Sequence, residues 1–178
     1  MKNPTVPIIL PLLAFCLNVK SDIIMSRENT RPSVYVSIQN LDSYPEVVLF
    51  GVHEGIALTK SNNYFRIKPG EKYRIPEYAP LKFYAVSKAY LDKTGISNIE
   101  WETNKNVIKS NLVIDVKKFK EKAPIVEIVM DYKIAGFDDK GIVLYRSQQK
   151  YSYNNGKPAL VLPFEYKGDL TKLHQNIE

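Results

Sequence analysis

IVEIVMDYKIAGFDDKGIVLYRSQQKYSYNNGKPALVLPF, residues 125–164, is the stretch that decides the fold. Between Ile125 and Ile134, the residues Val126, Ile128, Met130 and Tyr132 fall in one phase of the two-residue period that marks a strand. Phe137-Asp138-Asp139-Lys140-Gly141 supplies turn residues, and the chain then returns from Ile142 to Tyr153. There Ile142, Leu144 and Arg146 alternate with Val143, Tyr145 and Ser147. Asn154-Asn155-Gly156 predicts a second reversal, because Asn and Gly both accept left-handed φ. Leu160, Leu162 and Phe164 give one more strand, and Pro163, lacking an N–H, assigns it to an edge.

The same period runs back toward the N-terminus. Val34, Val36 and Ile38 alternate with polar positions, and residues 40–45 turn the chain. Val47-Val48-Leu49-Phe50 reads as a buried strand whose end is bracketed by Gly51 and Gly55. Asn62-Asn63 opens a run with Phe65 and Ile67, Pro69-Gly70 makes a turn, and Tyr73 and Ile75 return, which predicts a hairpin. Residues 82–87 carry Phe83 and Ala85 on one face and Tyr84 and Val86 on the other, the mark of a central strand. Residues 90–93 start a helical turn that Gly95 breaks. Ile99, Trp101 and Thr103 alternate with Glu100 and Glu102 as a strand with an acidic face, and Leu112, Ile114 and Val116 form another.

The expected fold is therefore all-β: an antiparallel β-sandwich, immunoglobulin-like or related, of about nine or ten strands, with a barrel as the alternative. A chain of 178 residues holds one such domain with a real core. We place it at residues 33–167, with a signal peptide over 1–21, an exposed leader over 22–32 and a flexible tail over 168–178.

Residues 1–21 read as an address. Lys2 precedes an apolar run over 6–19, and no acidic residue occurs before Asp22. A positive start and a short apolar core are the signature of a secretory signal peptide. The run is shorter than the ~20 residues a membrane helix needs, and Pro7 and Pro11 interrupt it. Cleavage after Ser21 is one reading. The other is lipidation at Cys16, although Phe15 stands where a lipobox wants a small residue. Export places the protein in the periplasm, at the outer membrane or outside the cell, with a membrane tether only if Cys16 is lipidated. Loss of residues 1–21 leaves 23 basic against 19 acidic residues, +4 in place of +6, and no cysteine.

A catalytic set is not visible. The two histidines are His53, at a strand end beside Glu54, and His174, in the tail. Asp138-Asp139 alone does not make a calcium site, and neither Gly-rich nucleotide fingerprints nor a Cys/His zinc pattern occurs. We therefore expect no metal, no cofactor and no catalytic residues. Glu100 and Glu102 would lie about 7 Å apart on one strand face, a spacing that keeps a glycan hydrolase as the alternative. Lys117, Lys118, Lys120 and Lys122 form a basic cluster, but export argues against nucleic acid as its target. Among 12 tyrosines, Tyr35, Tyr64, Tyr84 and Tyr145 sit where the opposite phase holds the core, which makes them candidates for a binding face toward a protein or a glycan. A third reading has Pro163 and the last strand dock a partner by strand addition.

Three stretches carry a resemblance: Tyr35-Val36-Ser37-Ile38-Gln39-Asn40-Leu41 with Tyr44-Pro45; Ile67-Lys68-Pro69-Gly70-Glu71; and Ile134-Ala135-Gly136-Phe137 through Val143-Leu144-Tyr145-Arg146-Ser147 to Tyr153-Asn154-Asn155-Gly156-Lys157-Pro158. Through them the chain resembles small exported β-rich proteins of unknown function from the Bacteroidetes. The resemblance implies an exported β domain and brings no substrate and no catalytic residue. The expectation is a non-enzymatic binding or envelope-associated module.

Overall fold

The computed structural model of the chain describes residues 31–54, 64–77, 79–119 and 124–176. The expected signal peptide with Cys16, all of the leader except Arg31 and Pro32, and Asn62-Asn63 lie outside the described residues.

The centre of the fold is the hairpin that opened the sequence reading. β7 (Ile125–Asp138) and β8 (Gly141–Tyr153) pair antiparallel around the Asp138–Gly141 turn, where Asp138 Oδ1 accepts the N–H groups of Lys140 and Gly141, each at 2.9 Å. Each arm takes a parallel neighbour. β1 (Ser33–Ile38) runs beside β7, from Ser33 opposite Glu127 to Ile38 opposite Tyr132, and β6 (Val107–Ile114) meets β8 at Ser110 and Ile142.

Both parallel joins end on an asparagine. Past the end of β1, Asn40 Oδ1 accepts the Ile134 N–H at 2.7 Å and Nδ2 donates to the Ile134 carbonyl at 2.9 Å. On β6, Asn111 does the same to Leu144, at 2.8 and 3.1 Å. Ile134 and Leu144 face each other in the hairpin ladder, so their peptide groups point away from the pair. A side-chain amide carries one acceptor and a donor group, as a peptide does, and each asparagine stands in for a strand that has turned away.

The remaining strands wrap outward. β2 (Val47–His53) pairs β5 (Leu81–Ser87), which pairs β6, all antiparallel. β3 (Tyr64–Arg66) adds to β2, and β4 (Tyr73–Arg74) adds to β1. With β9 (Leu160–Pro163) on β8, nine strands make one sheet in the order β3-β2-β5-β6-β8-β7-β1-β4, curled into a half-barrel. The all-β expectation holds. The sheet, however, is mixed and does not form a clear antiparallel sandwich, because β1 and β6 join the hairpin in parallel. Period-two patterning reports which face of a strand is buried and is silent on the direction of its neighbour.

The turn expected at Pro69-Gly70 is present, with Gly70 at φ 68, but its strands do not pair with each other. β3 joins one end of the sheet order and β4 the other, so residues 67–72 cross between them. Ile67 N–H donates to Leu49, Gly70 to Ile38 and Ile75 to Val34, each at 2.9 Å, and the Phe65 and Tyr73 rings stack at 4.9 Å. Gly51 does not end β2; it lies inside it, and an added Cβ would sit 2.5 Å from the Phe65 ring.

The main core fills the inside of the curl, where Val36, Ile38, Leu49, Leu81, Phe83, Ala85, Met130 and Ile142 are sealed from solvent. β5 is central, as its two apolar faces require. Its outer face, with Val48 and Phe50 of β2, carries Tyr84 and Val86 into a second cluster with Ile99, Trp101 and Val107. Beside this cluster runs α1 (Lys88–Thr94), capped by Ser87, whose Oγ accepts the Tyr90 N–H, and ended at Gly95. The strand expected over Ile99–Thr103 is absent. The segment turns instead, so that Trp101 lies 5.1 Å from Phe50, 5.4 Å from Tyr64 and 5.8 Å from Tyr84, ring centre to ring centre. Burial of the indole outweighs the ladder that alternation alone suggested.

β9 is an edge strand, as Pro163 required. Phe164 N–H donates to Ser147, so Val161 and Pro163 present their backbone to the open side. There Pro163 has no donor, which blunts the edge against the strand addition considered above. The tail expected to fray is pinned at His174, which exchanges two backbone hydrogen bonds of 2.8 Å with Phe137. Among the described residues no helix is long and apolar enough to cross a membrane.

Candidate functional site

A cleft of about 660 Å³ opens where three segments meet: residues 102–109, the β7–β8 turn, and residues 174–176. Two glycines allow the meeting. An added Cβ on Gly141 (φ 138) would lie 2.0 Å from the Lys109 carbonyl oxygen, and one on Gly136 (φ 147) would lie 2.8 Å from that of His174. Both φ values belong to the glycine region, so any side chain would be strained as well as crowded.

The first wall follows from the burial of Trp101. With the indole inside, the next residue, Glu102, is carried over the outer cluster and accepts the Tyr84 hydroxyl at 2.5 Å. Lys109 Nζ reaches its other oxygen at 3.1 Å, and Lys82 Nζ, which also pairs Glu54 at 2.8 Å, lies 3.4 Å away. The Tyr84 hydrogen bond, the Lys109 hydrogen bond and the charges of Lys82 and Lys109 together pull the Glu102 carboxyl down to about 2. Burial, and then the hydrogen bond to Glu102, push the Tyr84 phenol well above its ordinary range. Near neutral pH Glu102 is a fixed anion, with neither a proton to give nor basicity to take one. Asn104 shapes the same wall: it bonds Tyr90 OH at 2.9 Å and accepts the Asn106 N–H at 2.9 Å.

On the second wall stand Asp138, Asp139, Lys140 and Gly141. Asp138 Oδ1 is taken up by the turn, while Asp139 and Lys140 are exposed. The tail forms the third wall, held by the His174–Phe137 bridge and by Tyr44 OH bonding Gln175 Oε1 at 3.1 Å. Of the three lysines at the cleft, Lys109 is ion-paired; among the described residues Lys105 and Lys140 have no carboxylate within 4 Å. No three His, Cys, Asp or Glu side chains among the described residues are grouped to hold a metal ion.

The cleft thus gathers Glu102, Asp138, Asp139 and His174, which the sequence had scattered over 73 positions, and leaves out the other candidates. Glu100 does not share a strand face with Glu102; it caps the turn by accepting the Thr103 hydroxyl at 3.0 Å. His53 lies half-buried at the end of β2 with its ring 5.8 Å from Phe65, and burial lowers its pKa below the usual imidazole value. Of the four tyrosines, Tyr64 and Tyr84 meet around Trp101, and Tyr84 is buried with only its hydroxyl touching the cleft's rim at Glu102. Tyr35 and Tyr145 are half-buried elsewhere, opposite Val129 on β7 and Lys133 on β7 respectively, with the Tyr145 ring 5.4 Å from Tyr166. Sequence reasoning missed Lys105, Lys109 and Lys140; the one local signal was Gly141, whose closeness to β6 needs the tertiary fold. No protein-family model, no curated protein and no solved structure matches the chain.

Proposed function

We propose that the chain is an exported, non-enzymatic module that binds another protein through the cleft between residues 102–109 and the β7–β8 turn. The observation that carries this reading is the state of Glu102. The carboxylate at the cleft is committed to Tyr84, Lys109 and Lys82 and is held ionised, which suits a fixed recognition charge and not proton transfer. Around it stand Lys105 and Lys140, neither ion-paired among the described residues, and the exposed Asp139, a mixed polar surface of the kind that steers and orients a protein partner. A neutral glycan would want a Trp or Tyr platform, and among the described residues lining the cleft the one benzenoid ring, Phe137, is only 5 % exposed. The signal-like residues 1–21 support export, and the likeness to small exported β-rich proteins agrees with it.

The test is crosslinking in the source cell envelope from photoreactive residues placed at Lys105 and at Lys140. One discrete protein adduct at both positions, lost in the Lys105→Glu/Lys140→Glu variant, is the expected result. Adducts to glycan only would make the glycan reading correct. Turnover of a glycoside that vanishes in Glu102→Gln would overturn the non-enzymatic reading. Mass spectrometry of the mature N-terminus distinguishes a chain starting at Asp22, an acylated Cys16 and an intact Met1.

A further inference from the structure

Farther along β6, that strand and β8 part company. They pair at Ser110 and Ile142, Asn111 extends the join to Leu144, and beyond that β6 stays with β5 while β8 takes β9. Between the arms of the fork lies an open, shallow cleft of about 370 Å³. Its lining is mostly apolar: half-buried Leu112 and Phe119 stand at its side, over a floor of Ile114, Met130, Tyr132 and Leu144, which are nearly covered. At its rim lie Arg146 and Lys118, with Asp115, whose Oδ1 accepts the Lys117 N–H at 3.0 Å.

Arg146 is out of place on this face. It registers with Tyr132, so its guanidinium emerges on the core side of the sheet. Its side chain reaches solvent, and no carboxylate among the described residues lies within ion-pair distance of Arg146 or of Lys118. The guanidinium is nonetheless held in position. Nη1 donates to Gln149 Oε1, buried Gln149 donates from Nε2 to Tyr151 OH at 2.7 Å, and the Phe164 ring lies 4.4 Å from the guanidinium carbon. From this cation the apolar surface runs on over β9, where Leu160 and Leu162 share the face of Tyr151 and Gln149 and remain 44 % and 36 % exposed.

We propose that this fork binds a free single-chain anionic amphiphile, a fatty-acid-like carboxylate, with its head on Arg146 and Lys118 and its tail along the apolar walls. Charge complementarity selects the head: at the rim two cations, neither ion-paired among the described residues, outnumber one carboxylate, Asp115, whose Oδ1 is taken up by the Lys117 N–H. Apolar continuity selects the tail, each buried methylene contributing about 0.8 kcal/mol. An extended peptide is disfavoured, since Pro163 removes a donor from the edge a strand would need. The site is separate from the polar cleft, and its fate does not depend on that reading.

Calorimetric titration with sodium decanoate below its micelle-forming concentration tests it, with methyl decanoate as the uncharged control and anionic phosphatidylglycerol vesicles as the membrane arm. We expect saturable one-site binding of decanoate, at least tenfold weaker for the methyl ester. Arg146→Gln, with its thermal melt recorded to show that the variant is folded, should abolish that tenfold preference. Phe164→Ala, which removes the ring beneath the guanidinium without touching the cleft walls, should weaken it by a smaller factor. Equal binding of acid and ester, no saturable heat, or an unchanged preference in folded Arg146→Gln would overturn the proposal. So would pelleting with vesicles in the absence of decanoate binding, which would make this face a membrane-docking surface.

Discussion

The two ends of the β7–β8 hairpin are built from the same kind of strand and meet opposite fates. At the turn end, Ile134, Phe137, Ile142 and Leu144 are buried, both outer edges are closed by Asn40 and Asn111, and two glycines admit neighbouring backbone within contact distance. At the other end, β8 is flanked by β9, every residue of which is exposed. Hydrophobic sequence is present at both: Ile-Val-Leu at 142–144 and Leu-Val-Leu at 160–162. What separates them is whether a further layer of chain arrives to cover them. Apolar composition is thus a permit for burial, and topology decides whether it is used.

Substitutions made in pairs, one at each end, sharpen this contrast. The largest gap is expected between Gly141→Ala and Gly156→Ala. The first drives a Cβ into the Lys109 carbonyl at a φ of 138 and should cost on the order of 4 kcal/mol or more, enough to detach β6; the second, at φ 74 with nothing within 4 Å, should cost about 1–2 kcal/mol. Urea unfolding of both would show it, and equal costs would mean that β6 does not seat against the turn. Next, Leu144→Ala should lose about 2–5 kcal/mol, whereas Leu162→Ala should stay within about 1 kcal/mol, because only the first leaves a cavity. Asn111→Ala strands the N–H and carbonyl of buried Leu144 and should lose about 1–3 kcal/mol, against about 0.5 kcal/mol for Asn155→Ala in the open-end loop.

The smallest effect is electrostatic. The Glu102 carboxyl sits at about 2 in the folded chain, below the ordinary glutamate value of 4.5, so its pairing stabilises the fold above pH 4.5 and that contribution is lost as pH falls toward 2. The side chain is 56 % exposed, and solvent screening reduces the contribution to about 1 kcal/mol. Glu102→Gln should flatten the stability profile in that window. A profile unchanged by the substitution would dissolve the anchored-carboxylate picture of the cleft.

What the sequence makes legible is what neighbouring residues decide among themselves. The alternation of Val34, Val36 and Ile38, the turns at Asp138–Gly141 and Asn154–Gly156, the two apolar faces of β5 and the edge character given by Pro163 all appear where local pattern places them. Partners do not show in that pattern. Asn40 and Ile134 lie 94 residues apart, and nothing around either announces the other. Pro69-Gly70 turns the chain as expected, but the turn cannot say that its two strands separate. Ile99, Trp101 and Thr103 alternate like a strand, yet the large indole finds more cover under the β2–β5 face than a ladder would give it. The polar cleft was the least legible feature, since its three walls come from distant segments and only the glycines that admit them leave a mark.

The crossing at residues 67–72 has a kinetic consequence. β3 and β4 are near neighbours in the chain, but each closes a different margin of the sheet, and neither has a template until β2 and β1 have been set by the strands between them. Local proximity therefore gives the Phe65–Tyr73 stack but no shared ladder, and the two strands should dock last, after long-range pairing of β1 with β7 has fixed the curl. A chain arrested before that step would expose two unfinished margins at once, the state in which such a sheet is most open to joining another copy of itself.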